Sequence, residues 1–214
     1  MQSYKFTCII YLYYFESESG EIMNKEWLFD NYPFICKDNL TLAKIQPSQA
    51  NAFIKLMNDE TFVKYSPSRP EYNDYNITDL YRQIDALFKA NQAVWLGVSF
   101  DEAVTSLDGI ITLKKFDDKI DSCVLDFIFS NSFKTSNSAV KSLKAVLDFM
   151  FNKVEISRIS AVCLPEHYLY KNLLEDAGFK LEGTSRQGDY WDGKGVVSVS
   201  YFSILKSDFL KDNQ

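Results

Sequence analysis

The sequence predicts an α/β (α+β) fold, a mixed and mostly antiparallel sheet flanked by helices, and three observations lead to it. Residues 122–186 run through strand, helix, strand, helix and strand patterns in that order. Upstream, residues 93–100 and 107–115 form two further β-rich runs joined by the polar stretch DEAVTS. The 214 residues are 46% hydrophobic and 15% aromatic, enough apolar surface to build one packed domain rather than a disordered chain.

The first 22 residues stand apart. The run FTCIIYLYYF, residues 6–15, falls short of the ~20 residues needed to span a bilayer. The acidic ESESGEI follows where a leader would carry a small-residue cleavage site. Residues 1–22 are therefore expected to be a poorly ordered extension, with Met23 a natural start and residues 23–214 a single domain. Leu40, Leu42 and Ile45 suggest a first strand, and Pro47 and Ser48 open a helix whose stripe is Ala50, Phe53, Ile54 and Met57. Residues 60–65 form a second helical turn, ended by Pro67 and Pro70. Thr78 caps a longer helix to Lys89, with Leu80, Ile84, Leu87 and Phe88 on its apolar side.

After the two β runs, Asp117, Asp118 and Lys119 make a turn into the strand 123–129, which is apolar except for Asp126. A polar linker, residues 130–137, precedes a helix whose apolar residues Ala139, Leu143, Val146, Leu147, Met150 and Phe151 recur at steps of three and four. Ser136, Asn137 or Ser138 can cap it. Ile156, Ile159, Ala161 and Cys163 mark the next strand, residues 167–177 a short helix with Gly178 at its C-terminal cap, and Lys180 to Arg186 a further strand. Residues 126–129 end ahead of the parallel-running strand 156–163, so the two are expected to splay apart and leave a slot.

Charge and cysteine usage narrow the function classes. The net charge is −6 without a basic block, which argues against a nucleic-acid partner and suits a cationic amine. Cys8, Cys36, Cys123 and Cys163 are far apart and there is one histidine, so neither a zinc site nor a disulfide framework is expected, and a reducing cytoplasm is.

The segments SLKAVLDFMF, RISAVCLPEHYLYKNLLEDAGFKLEGTSRQG and YFSILKSDF, in this order, resemble the GNAT acyl-CoA N-acetyltransferases. Within them they look like the branch of the ribosomal-protein N-terminal acetyltransferases. The resemblance covers residues 39–208 and is most specific over 173–186. It implies the GNAT fold, acetyl-CoA as co-substrate, a primary amine (protein N-terminus or small amine) as acceptor, no metal, no membrane and, as one assembly, a homodimer.

The same resemblance distributes roles. Phe127, Ile128 and Phe129 lie on the strand beside the pantetheine arm. The pyrophosphate loop falls on Lys134, Thr135, Ser136, Asn137, Ser138 and Ala139, at a helix N-terminus where unpaired N–H groups and the dipole favour an anion. Family members carry glycine where this chain has Thr135 and Asn137. Asn tolerates a left-handed backbone and Ser, Thr and Lys add donors, so a phosphate nest is retained in one reading and lost in the other. The loss would make the chain a GNAT-like binding or regulatory module.

Tyr170 takes the place of the hydroxyl that protonates the departing CoA sulfur; a phenol, with a pKa of about 10, can serve as that acid. Asp126 is read from the strand itself, where it stands alone among apolar residues at a position that often carries glycine in the family: it is either the base that takes the amine proton, directly or through water, or an Asp at a bulge bonded to neighbouring N–H groups. Glu182 reads as scaffold and Asp189 as a further acidic residue. His167 can contact pantetheine, carry a proton or cap the short helix. The helices ahead of residue 90 cover the acceptor cleft in the family, which brings Tyr65, Tyr72, Tyr75 and Arg82 near substrate.

Overall fold

The computed structural model describes residues 23–37, 39–66, 76–100, 106–134 and 137–212. Residues 1–22, Tyr72, Tyr75, Thr135 and Ser136, about which the sequence raised expectations, lie outside the described residues.

Among the described residues the first element is α1 (Lys25–Asp30), followed by β1 (Ile35–Lys37) and β2 (Leu40–Lys44). A 3-10 turn at Pro47–Gln49 leads into α2 (Ala50–Met57), then α3 (Glu60–Tyr65) and α4 (Ile77–Lys89). Next come β3 (Ala93–Ser99), β4 (Gly109–Asp117), β5 (Ser122–Phe129), the single turn α5 (Asn131–Lys134) and the long α6 (Asn137–Asn152). The chain finishes with β6 (Arg158–Cys163), α7 (Tyr168–Asp176), β7 (Lys180–Trp191), β8 (Gly195–Leu205) and α8 (Lys206–Asp212). The strands form one sheet in the order β1-β2-β3-β4-β5-β6-β8-β7, antiparallel at every step except β5 to β6. A parallel step needs a crossover, and α6 supplies it.

Alternation along the central strands sends side chains to two cores. Leu125, Phe127 and Phe129 join the larger one beneath α6, together with Ile111 and Leu113 of β4. Ile110 and Ile128 join the smaller one, closed by Phe53, Leu56 and Met57 of α2 and by Leu80 and Ile84 of α4. The stripe read from the sequence holds α6 in place. Leu143, Val146, Leu147, Met150 and Phe151 are all fully buried, each contributing about 1.5–3 kcal/mol of apolar burial that an isolated helix of this length lacks.

The termination of α7 also follows the prediction. Gly178 adopts φ +103°, its N–H donates to the Glu175 carbonyl and that of Phe179 to the Leu174 carbonyl, the paired bonds of a Schellman cap. Four elements depart from the prediction. α1 and β1 precede the first expected strand, and Met23 and Leu28 are buried in the larger core. The linker after β5 contains the turn α5. Thr78, the expected cap of the long helix, lies inside it: α4 begins at Ile77, with Asn76 in the cap position.

The expected splay between β5 and β6 is present. Their parallel ladder pairs Ser122, Cys123 and Val124 with Arg158, Ile159 and Ser160 and ends there. β6 remains paired to β8 along its whole length, and β5 to β4 up to Phe129. From Leu125 onward the edge of β5 facing β6 has no strand partner, and a cleft opens.

Candidate active site

Two clefts meet on β5. The first, about 460 Å³, opens where β5 and β6 part and is lined by Asp126 to Phe129, Cys163, His167, Tyr170, Phe62 and Tyr65 of α3, and Trp191 of β7. The second, about 600 Å³, lies under α2 and α4 and is lined by Met57, Phe62, Leu87, Trp95, Ile110, Thr112, Lys114 and Lys115. Asp126, Phe127, Ile128, Lys114, Lys115 and Phe62 line both. The junction of the clefts is therefore the C-terminal half of β5.

Asp126 occupies that junction. Its Oδ1 accepts from the Tyr170 hydroxyl at 3.1 Å and from the Phe127 N–H at 2.9 Å, and its Oδ2 accepts from Lys114 Nζ at 3.1 Å. The sequence suggested a carboxylate isolated among apolar residues. Instead its side chain is one-third exposed and ion-paired. The reason is register: Asp126 stands opposite Thr112 on β4, so Lys114, two residues further along, falls on the same face within reach.

Tyr170 comes from α7, which the buried Leu173 and Leu174 fix against the sheet. Its ring stacks flat on Phe127, with centroids 4.0 Å apart and planes within 1°. Burial, reinforced by the Asp126 charge, pushes its phenol well above the ordinary value of 10.0. Tyr170 is thus a neutral donor aimed at a carboxylate, 44 residues away in sequence and one hydrogen bond away in space.

Of the three roles open to His167, the structure shows the cap. Its Nδ1 accepts from the Tyr170 N–H at 3.0 Å at the N-terminus of α7. Its ring meets Tyr65 edge-on at 4.1 Å and faces the first cleft. Cys163, at the end of β6, keeps its thiol proton because burial pushes its pKa up to about 12.

The loop at the head of α6 is positioned differently. Asn137, Ser138 and Ala139 form the first turn of the helix, so Asn137 and Ser138 lie within it rather than at its cap, and none of the three lines the first cleft. Ala139 is fully buried, which leaves only its main chain for a ligand, and the Ser138 carbonyl accepts from Ser142 Oγ at 2.9 Å. Asn137 is exposed at the helix start.

The remaining acidic residues have structural partners. Glu182 receives both guanidinium N–H groups of Arg158 at 2.9 and 2.7 Å and the Ser203 hydroxyl at 2.8 Å, the scaffold role read for it. Asp189 lines the first cleft but accepts from the Tyr190 N–H and Trp191 Nε1. Arg82 pairs with Asp79 on the exposed side of α4. Sequence reading missed Lys114, Lys115, Phe62 and Trp191; the one usable signal was the pair of lysines ending an otherwise apolar strand. Among the described residues no group of three or more His, Cys, Asp or Glu is placed to hold a metal, and no helix is long and apolar enough to cross a membrane.

A family model described as an acetyltransferase (GNAT) domain matches residues 39–180, more than half of the chain. The chain belongs to the GNAT acetyltransferase family. An uncharacterized N-acetyltransferase, p20, of Bacillus licheniformis is 23% identical over 173 residues, 80% of this chain and 96% of that protein. The ribosomal-protein-S5-alanine acetyltransferase of Vibrio fischeri superposes with a TM-score of 0.70 at 16% identity, over 83% of this chain and 98% of that one. The spermidine N-acetyltransferase of Vibrio cholerae, solved with CoA and spermine, gives 0.68 at 20% identity, over 81% and 99%. These GNAT neighbours share the fold with this chain while differing from one another in acceptor.

Proposed function

We propose that this GNAT protein is an acetyl-CoA-dependent N-acetyltransferase that passes the acetyl group to a primary amine, a protein N-terminus or a small amine, by direct attack in a ternary complex. The observation that carries this reading is Asp126, one carboxylate at the meeting point of two clefts with the Tyr170 hydroxyl on one oxygen. The first cleft takes the pantetheine arm against the unpaired edge of β5. Phe127, Ile128 and Phe129 form its wall, and the pyrophosphate lies toward the start of α6. The second cleft takes the amine.

The proton path follows from the hydrogen bonds. As the nitrogen–carbon bond forms and the carbon–sulfur bond breaks, the proton shed by nitrogen goes to Asp126 and the Tyr170 proton goes to the leaving thiolate. The proton on Asp126 then restores the phenol. A thiol has a pKa of about 8.5, so a phenol held above its ordinary value gives up its proton only if it is resupplied. The Asp126 contact provides that supply. Lys114 acts as a positioning residue, holding the second carboxylate oxygen so that the first faces Tyr170.

Calorimetric titration of the full chain with acetyl-CoA tests the reading, followed by CoA release with primary amines. Half-saturation by acetyl-CoA between about 1 μM and 1 mM is expected. An absence of binding at millimolar ligand would overturn the enzyme reading and leave a GNAT-like module that has lost CoA.

A further inference from the structure

Four charged side chains line the second cleft: Lys25, Lys114, Lys115 and Asp126. Two of the three lysines are spent. Lys25 pairs with Asp118 at 3.0 Å and Lys114 with Asp126 at 3.1 Å. Lys115 makes no ion pair among the described residues, and it is exposed where the two clefts join. It also adopts φ +54°, a conformation that non-glycine residues seldom take, at the point where the register between β4 and β5 shifts. The shift places two consecutive lysines, Lys114 and Lys115, at the cleft instead of sending the second to the opposite face.

The remaining wall is mostly apolar and aromatic, with Met57, Phe62, Leu87, Trp95, Ile110 and Phe116 among its members and the uncharged Asn91, Gln92 and Thr112 as its polar ones. The charge pattern of the described residues disfavours one acceptor class. A polyamine carries several positive charges and needs carboxylates spaced along its binding path. This cleft has a single described carboxylate, already neutralised by Lys114, and one uncompensated cation. An acceptor with one amine on an apolar or aromatic body, and an anionic group elsewhere on that body, matches each feature. The positive field also favours the neutral form of the attacking amine, the form that carries the lone pair.

We propose that the acceptor of this enzyme is a monoamine with an apolar or aromatic body and an anionic substituent, and that Lys115 is the residue that selects the anion. The inference rests on the N-acetyltransferase reading. The test is kcat/KM of the full chain at saturating acetyl-CoA with three acceptors: 4-(2-aminoethyl)benzoate, tyramine and spermidine. The benzoate is expected to exceed tyramine by about two- to fivefold, the size of an exposed ion pair, and spermidine to fall below both. That preference should shrink as salt is raised, and Lys115→Met should reduce the benzoate-to-tyramine ratio toward one while Lys115→Arg preserves it.

Spermidine as the best acceptor would overturn the proposal, as would a ratio unmoved by Lys115→Met. Failure of all three acceptors in a chain that binds acetyl-CoA would overturn it too, leaving the transferase reading standing. A chain that binds no acetyl-CoA removes that reading and the proposal with it.

Discussion

Tyr170 lies flat on Phe127, with ring centroids 4.0 Å apart, and from that position its hydroxyl reaches Asp126 Oδ1 at 3.1 Å. The stack fixes the ring and the carboxylate fixes the hydroxyl, so orientation and proton transfer depend on different atoms of one side chain. Tyr170→Phe keeps the stack and removes only the donor. Turnover is expected to fall by about 10²–10⁴-fold, the usual worth of general acid catalysis, while acetyl-CoA affinity stays close to that of the wild type. Steady-state kinetics beside calorimetry checks this, and an equal loss in both would show that the hydroxyl serves binding.

Lys114 permits a separate test, because it bonds the Asp126 oxygen that Tyr170 does not. Lys114→Met removes the contact to Oδ2 and frees the carboxylate to rotate. We expect kcat to fall about tenfold or more, in line with what misplaced catalytic groups cost, with KM for acetyl-CoA little changed. Lys114→Arg, which keeps a cationic donor, should recover most of the loss. A methionine variant with wild-type kcat would place the lysine outside the reaction.

How far the sequence exposes this site depends on the range of the interaction concerned. Periodicity reports what happens within one element, and so α6, α7, its cap at Gly178 and the splayed strands were legible. Tyr170 was singled out by the GNAT resemblance and Asp126 by standing alone in an apolar strand, but their contact was not legible, since it spans 44 residues and depends on how α7 docks on β5. The contact of Lys114 with Asp126 was hidden for a related reason. It is set by the β4–β5 register, Thr112 opposite Asp126 and Lys114 opposite Val124, which neither strand's own pattern fixes. The six residues of α1 and three of β1 are too few to show a period; tertiary contacts hold them, with the Asn24 N–H donating to the Val154 carbonyl and Leu28 fully buried.

Gly109 has a steric role at the end of β5. It stands opposite Phe129 in the ladder, and a Cβ there would lie 2.2 Å from Phe129 Cδ1 and 2.9 Å from the Ile128 carbonyl oxygen. The ring would have to leave its place and the strands to separate. Gly109→Ala should therefore destabilise the fold by about 1–3 kcal/mol, the usual cost of overpacking, and weaken acetyl-CoA binding by moving the wall formed by Phe129. Urea denaturation beside calorimetry tests both; unchanged stability would mean that β4 and β5 are less tightly apposed than the geometry shows.

Stability should also decline in alkali, and the groups responsible can be named. Burial pushes the Cys163 thiol up to about 12 from an ordinary 9.0 and raises Cys123 further in the same direction, while Tyr170 is raised by burial and by the Asp126 charge. The folded state thus holds these protons more tightly than the unfolded chain. Below pH 9 both states keep the thiol protons and these groups make no pH-dependent difference. Above it the unfolded chain ionises first, so the contribution is lost as pH rises from about 9 to 12. Thermal melts should show a Tm that is level from pH 7 to 8.5 in these terms and falls beyond 9. Cys163→Ala removes one of the groups, and its Tm, though lower at neutral pH for the lost side chain, should decline less steeply above pH 9. Parallel curves for the variant and the wild type would show that Cys163 ionises equally easily in the folded and unfolded chain.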